Sequence, residues 1–375
     1  MKFISLQENL KTGLQIVSHV VSKNINLPIL NNILFKANKG NIELIATNLE
    51  IGITHQVRGK IEVEGEFTVD SKIITDYINL LPSAKIEIEK GDNEINVECE
   101  NYKTKIKTQE GSDFPLLPIV SKDNPFILNL NDFRNALSQV IFSVANNETR
   151  LELSGVLFIF NENEIILAGT DSYRLTEKKL NLKNKNENNF KIIVPARALQ
   201  ELLRILSGLK EKEDLDTSGD ILICLSENQI LFSFSNTELV SRLIMGNFPD
   251  YKQIIPTNFK TQIKIDKSSF LRAIKASAIF SKTGINDISL EFKKEENKVF
   301  LSSTSSQAGE SSIDLKTEIT GEDNFMVVNY RYLLDGLNNI DSNNIIMELV
   351  NGNTPCVLKP ENDDSYQYIV MPIRQ

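Results

Sequence analysis

The feature that most constrains this 375-residue chain is an internal threefold repeat. Three amphipathic segments open the copies: Glu8-Asn9-Leu10-Lys11-Thr12-Gly13-Leu14, Asn131-Asp132-Phe133-Arg134-Asn135-Ala136-Leu137 and Ser268-Ser269-Phe270-Leu271-Arg272-Ala273-Ile274. Each carries large apolar residues at i and i+4 (Leu10/Leu14, Phe133/Leu137, Phe270/Ile274), one stripe of a helix. Leu10 and Phe133 are 123 residues apart, and Phe270 follows 137 later. A second landmark repeats at similar distances: Asn32-Ile33-Leu34-Phe35 matches Gly155-Val156-Leu157-Phe158 at 123, and Phe292 lies 134 beyond Phe158. Each of these leads to a small polar signal, at Ala46-Thr47-Asn48, Gly169-Thr170-Asp171 and Ser303-Thr304-Ser305. Second helices follow Val69, Val194 and Val328, at spacings of 125 and 134. A period this long exceeds that of solenoid repeats and matches a whole domain.

Six helices are expected over residues 6–23, 70–81, 131–144, 195–210, 266–282 and 329–341. Between them the chain alternates apolar and polar residues, as in Lys85-Ile86-Glu87-Ile88-Glu89 and Gln262-Ile263-Lys264-Ile265, the period-2 mark of half-buried antiparallel strands. Polar, Pro-containing breaks fall at Ser121–Pro125 and Pro256–Lys260. The fold class is therefore α+β, with three domains over 1–121, 126–250 and 258–375, each placing two helices on one face of an antiparallel sheet.

Composition removes several classes of function. A hydrophobic fraction of 41% suffices for packed cores. No apolar run approaches the ~18 residues of a membrane span. The start, Met1-Lys2-Phe3-Ile4-Ser5, turns polar by Gln7 and Glu8 without a signal-peptide core, so a cytosolic protein is expected. Cys99, Cys224 and Cys356 are odd in number and far apart, which fits neither a disulfide framework nor a C-x-x-C site. With only His19 and His55, neither a structural zinc site nor histidine-assisted nucleophilic chemistry finds its residues. No Gly-rich phosphate loop is present, and no cofactor or metal is expected. Asp363-Asp364 and Glu295-Glu296 read as loop charges, and the Asn147-Glu148-Thr149 sequon has no meaning in a cytosolic chain.

Net charge is −9, yet it is unevenly placed. The six helical segments together carry +4, which leaves −13 on strands and loops. A mildly basic helical face in an acidic body suits a polyanion held through its phosphates without sequence readout. On this argument Lys23, Arg197, Arg204, Arg272 and Lys275 are candidate contacts to such a polyanion. A rival reading is an acidic β-rich enzyme using Asp171-Ser172-Tyr173-Arg174, with Tyr173 as acid or base. Counterparts of that turn at Thr47-Asn48 and Thr304-Ser305 argue for scaffold instead. A ligand-binding β module without a DNA role is the third reading.

Particular strings decide among these. Met1-Lys2-Phe3, Leu27-Pro28-Ile29-Leu30, Thr170-Asp171-Ser172-Tyr173-Arg174-Leu175, Phe248-Pro249-Asp250-Tyr251 and Tyr368-Ile369-Val370-Met371-Pro372-Ile373-Arg374 occur in order over the whole chain. In these the sequence resembles the bacterial sliding clamps, the beta subunits of the DNA polymerase III holoenzyme. The resemblance implies three repeated clamp domains per chain and a head-to-tail homodimer that closes a ring on duplex DNA. Such a ring has no catalytic residue; it tethers the replicative polymerase, the clamp loader and repair proteins through a short peptide motif. By family position, Asn24, Lys72, Asn147, Leu151 and Glu152 would lie near DNA, with Lys23 beside Asn24 where the family often has arginine. A partner-peptide pocket would be built from Arg150, Leu153, Thr170, Ser172, Tyr173, Arg174, Leu175, Pro249, Ile254, Asn329, Tyr332, Pro355, Ile369, Met371, Ile373 and Arg374. Apolar members would take varied side chains, and Arg150, Arg174 and Arg374 would meet a peptide carboxylate or carbonyl at the rim. The subunit seam would join the strand at Thr104–Ile106 to the helix end at Ala278-Ile279-Phe280.

Overall fold

A computed structural model describes residues 1–21, 26–38, 40–145, 149–209 and 219–374. The first repeat runs β1 (Lys2–Leu6), α1 (Gln7–Val17), β2 (Asn32–Asn38), β3 (Asn41–Thr47), β4 (Ile51–Val57), β5 (Gly59–Val63), β6 (Gly65–Asp70), α2 (Ser71–Leu80), β7 (Lys85–Lys90), β8 (Glu94–Cys99) and β9 (Tyr102–Gln109). The second runs β10 (Phe126–Asn129), α3 (Leu130–Ile141), β11 (Gly155–Phe160), β12 (Glu164–Thr170), β13 (Arg174–Asn181), β14 (Phe190–Pro195), α4 (Ala196–Gly208), β15 (Asp220–Leu225), β16 (Gln229–Phe234) and β17 (Thr237–Arg242). The third runs β18 (Thr261–Asp266), α5 (Lys267–Ala278), β19 (Asp287–Lys293), β20 (Lys298–Ser305), β21 (Gly309–Lys316), β22 (Glu318–Gly321), β23 (Asn324–Asn329), α6 (Tyr330–Asn339), β24 (Asn344–Leu349), β25 (Cys356–Pro360) and β26 (Tyr366–Val370).

All six expected helices form, each a few residues shorter than the pattern suggested. Four of the starts are fixed by strand-end Asn or Asp residues, which cap orphan N–H groups, whereas α1 follows Leu6 without a side-chain cap and α4 follows Pro195. Asp70 accepts from Ile73 N at 2.9 Å, Asn129 from Asn131 N at 2.9 Å, Asp266 from Ser269 N at 2.8 Å and Asn329 from Arg331 N at 2.9 Å. No described helix is long and apolar enough to cross a membrane.

The antiparallel sheet expected of each repeat forms, and in the third repeat its strands fall into two sheets. In the first repeat α1 packs on β3 and β4 and also on β1, strands of two different ladders. In the third, β18, β22, β24, β25 and β26 form one sheet and β19, β20, β21 and β23 another, and α5 touches both. In the third repeat α5 thus buries its stripe between two sheets. Phe3, Phe35 and Phe67 stack in the first core, with centroids 6.4 and 5.0 Å apart. Phe270, Phe292, Met326, Leu333 and Tyr368 do the same work in the third, all fully buried.

Two compact units result: residues 1–134, 182–186 and 197–243 in one, 135–181, 187–196 and 244–375 in the other. The second repeat is divided between them. Inside the first unit, β17 pairs with β4 of the preceding repeat (Val240 opposite Gly52). Inside the second, β26 pairs with β13 of the preceding repeat (Ile369 opposite Leu175). The second and third repeats therefore each donate their last strand to the repeat before.

Candidate functional site

The second of these junctions gathers most of the expected pocket. Its scaffold is the turn between β12 and β13. Thr170 Oγ1 donates to Arg174 O at 2.6 Å and accepts from Ser172 N at 3.1 Å, while Asp171 Oδ1 accepts from Tyr173 N and Arg174 N at 2.9 and 3.0 Å. Ser172 is forced to φ 79°, the left-handed region that L residues avoid. The chain end lies against this turn: Met371 N donates to Tyr173 O at 2.9 Å, and Ile373 N to Val327 O at 2.7 Å. Leu153, Leu175 and Ile369 are buried in one apolar cluster with Leu157, Ala168, Val357, Phe248 and Tyr251. They are floor, whereas Met371, Pro249 and Pro355 are half-buried, and Ile254 and Tyr173 are 37% and 62% exposed. Tyr173 stacks on Tyr332, centroids 6.1 Å apart.

Two expected pocket residues have other work. Arg174 is not available to a peptide. Its Nε donates to Asp171 at 3.0 Å, one terminal nitrogen to Asp335 at 2.5 Å and the other to Phe142 O at 3.0 Å. The guanidinium also sits 4.9 and 5.5 Å from the Tyr332 and Phe142 ring centroids. Asn329 spends its side chain capping α6. Arg150 is exposed, held loosely by Glu152 at 3.1 Å and Ser172 at 3.2 Å, and Arg374 is exposed. These two remain as rim cations, with Ile373 half-buried beside Arg374.

Sequence reasoning missed the clasp beneath the pocket. Tyr251 donates its hydroxyl to the buried Glu177 carboxylate, whose other oxygen accepts from Gln367 Nε2 at 3.0 Å. Burial, with Glu177 facing it, drives the Tyr251 pKa well above its usual value, so the hydroxyl stays a donor. The only signal available was Tyr251 in the Phe248-Pro249-Asp250-Tyr251 string. The Asp171 bonds also weaken the catalytic-cluster reading, because both oxygens of that carboxylate are committed, one to the Tyr173 and Arg174 backbone N–H groups and the other to Arg174 Nε.

Among the candidate DNA contacts, Lys72 on α2, Arg197 on α4, and Arg272 and Lys275 on α5 are exposed. Arg204 is tied down, by Glu201 at 3.0 Å and by Ile16 O at 2.8 Å. Glu152, whose own backbone N–H and Arg150 hold its carboxyl below the usual range, carries negative charge next to the 58%-exposed Leu151. Lys23, Asn24 and Asn147 lie outside the described residues.

At the expected seam, β9 pairs with β8 along its length but meets β6 only at Thr108 and Gln109. Among the described residues the β21 strand pairs only with β20. Ile106 is 7% exposed and Thr104 half-buried; Ile279 is 71% exposed, whereas Phe280 is already half-buried near Gly309.

Repeats that hand a strand to their predecessor, with one donor and one acceptor left over, describe a sliding-clamp fold. The structure superposes on the sliding clamp of Bacillus subtilis with TM-score 0.93 and 25% identity, covering 100% of this chain and 99% of that one. The DNA polymerase III beta subunit of Thermotoga maritima gives TM-score 0.90 and 26% identity, covering 100% and 99%. By sequence, the beta sliding clamp of Staphylococcus epidermidis is 30% identical over 364 residues, 94% of each chain. The chain belongs to the DNA polymerase III beta subunit family, whose N-terminal, central and C-terminal domains match residues 1–118, 127–250 and 252–374. That family's function is ring-shaped tethering on DNA; its members are processivity factors, not catalytic subunits.

Proposed function

We propose that two copies of this chain, acting in the cytoplasm with residues 1–121, 126–250 and 258–375 as repeating domains, close head to tail around duplex DNA. One observation carries the reading: every repeat junction is a shared strand pair, and β21 and β9 are the acceptor and donor left unspent. A heterologous pairing of this kind must close or grow without limit. A second copy supplies the missing partner at both ends. Ile279 and Phe280 then flank the seam near Thr104 and Ile106.

Retention on DNA is topological, so the individual phosphate contacts can be weak. Lys72, Arg197, Arg272 and Lys275 are exposed and are assigned to make them, Arg272 while also donating to Ser269 Oγ at 3.1 Å, and Lys23 and Asn24 are assigned to the same role. Weak, sequence-blind contacts permit sliding, since phosphates position without specifying. The pocket around Leu153, Leu175, Ile369 and Met371, with Arg150 and Arg374 at its rim, takes the partner peptide. The test is loading on a nicked circle followed by a single double-strand cut. The protein should leave the linear product and stay on the circle; equal retention on both would end the topological reading.

A further inference from the structure

The first junction is built like the second, and the geometry points to a second apolar peptide-accepting groove there, between β3, β4, β17 and the segment that follows β9. The correspondence is one of register. Across the first junction the row Thr47, Gly52, Val240, Leu231 runs strand to strand, and across the second the row Thr170, Leu175, Ile369, Val357 does the same. The neighbouring rows are Leu34, Ile45, Thr54, Glu238 and Leu157, Ala168, Glu177, Gln367. Even the turn is duplicated. Thr47 Oγ1 donates to Ile51 O at 2.9 Å and accepts from Leu49 N at 3.0 Å, and Asn48 Oδ1 accepts from Glu50 N and Ile51 N at 3.0 and 2.8 Å. Leu49 takes φ 76° where Ser172 has 79°, a conformation a leucine adopts only when its surroundings impose it.

The connecting segments match too, Phe114-Pro115-Leu116-Leu117 against Phe248-Pro249-Asp250-Tyr251. Phe114 and Phe248 are both 5% exposed. Two differences open the first site. Gly52 stands where the second has Leu175, and a Cβ there would come within 2.6 Å of Leu117 Cδ2, so the floor is lower and Leu117 reaches into it. A cavity of about 530 Å³ remains, lined by Leu34, Ile45, Gly52, Leu117 and Val240, within the size range of ligand pockets. Its rim carries Leu116 and Ile119, 96% and 97% exposed, where the second junction presents Asp250 and Gln253.

The occupant is a short extended segment of another protein carrying two or three aliphatic or aromatic side chains. Floor and rim are aliphatic. The charges at the edge are two lysines, Lys36 and Lys122, among Glu43, Glu66 and Glu238, with Lys122 already paired to Glu238. That balance gives a phosphate backbone no purchase. The inference rests on reading the second junction as a peptide groove, since equivalence to it assigns the class of partner.

The tripeptide N-acetyl-Leu-Leu-Phe-amide, titrated into the full-length dimer labelled at Ile, Leu and Val methyls, tests both sites at once. Two tripeptides should bind per protomer, shifting Ile45, Leu117 and Val240 at one site and Leu175 and Ile369 at the other. The exposed double variant Leu116→Asp, Ile119→Asp should fall to one per protomer and lose only the first set of shifts. Removal of residues 371–375 should fall to one and lose only the second set. One tripeptide per protomer, unchanged by the double variant, would overturn the first groove and leave the second standing. If the double variant loses a site and the truncation loses none, the first groove stands and the peptide reading of the second fails.

Discussion

Arg174 offers the sharpest test of how the second junction is held. Replacing it by alanine takes the guanidinium donor from Asp171 Oδ2 (16% exposed side chain) and from the Phe142 carbonyl, and removes a guanidinium that is only 12% exposed. A charge-assisted bond of this kind is worth ~1.5–3 kcal/mol, and stacking on the Tyr332 and Phe142 rings adds about 0.5–1 kcal/mol. The Asp335 contact is discounted, because that carboxylate is 48% exposed and solvent-screened pairs contribute ~0–1 kcal/mol. The terms overlap, and a loss of about 3 kcal/mol is expected, short of the upper end for breaking a buried pair. For a cooperative unit of about 150–250 residues that corresponds to a fall in Tm of roughly 6–12 °C. Differential scanning calorimetry of Arg174→Ala should show one transition moving by that much, with the transition of the other unit in place. Arg174→Lys should recover only part, since an ammonium cannot span Asp171, Asp335 and Phe142 O together. Tyr173 O also anchors Met371, so tripeptide affinity at the second junction should drop with stability. A shift below about 2 °C, less than 1 kcal/mol on the same scale, would refute the claim that Arg174 is a staple and return it to the rim.

Asp266→Ala should cost about 1 kcal/mol at neutral pH by uncapping α5. Its hydrogen bonds from Ser269 hold the carboxyl below the ordinary value, so the cost is present above ordinary carboxylate pKa values and should vanish as pH falls through the lower folded value; a pH-independent difference in urea midpoint would contradict this. Carrying the junction register to the seam places Glu310 opposite Lys105 of the second copy, because Thr304–Glu310 matches Thr170–Leu175 and Cys99–Tyr102 matches Phe234–Thr237. Lys105→Glu and Glu310→Lys should each weaken the dimer in sedimentation at low salt and together restore it; failure of the double variant to recover would reject the register. Ile279→Ala with Phe280→Ala should shift the protein toward monomer, and an unchanged dimer at micromolar concentration would displace the seam. Truncation after Val370 removes the Met371 and Ile373 backbone bonds and should abolish second-junction peptide binding with the dimer intact, checked by titration beside a melt.

The sequence carried what is local or periodic. Repeat landmarks such as Phe35, Phe158 and Phe292 were legible because each copy needs the same core side chain at the same strand position. The helix starts could be read from Asp70, Asp266 and Asn329, whose caps act within three residues. Strand sharing was hidden, since alternation reveals which face is buried and not which distant strand pairs. Arg174 looked like a rim cation because two of its partners, Phe142 and Asp335, lie 32 and 161 residues away. Only Asp171, three residues back, was in view. Arg204 was misjudged in the same way, its carbonyl partner Ile16 being 188 residues distant.

Strand sharing also imposes a timetable on synthesis. The β4 strand leaves the ribosome about 190 residues before Ser241, its partner opposite Ile51, exists. At translation rates of ~5–20 residues per second that is roughly 10–40 s with an unsatisfied edge. The exposed sequence, Ile51-Gly52-Ile53-Thr54-His55-Gln56-Val57, has no charge and no proline to discourage pairing with a neighbouring nascent chain. A polysome carrying this message therefore lines up identical, open strands at short distances. The same delay recurs between Arg174 and Val370. Yield in the cell should depend on holdase chaperones acting during elongation, and slowing translation should lower the soluble fraction.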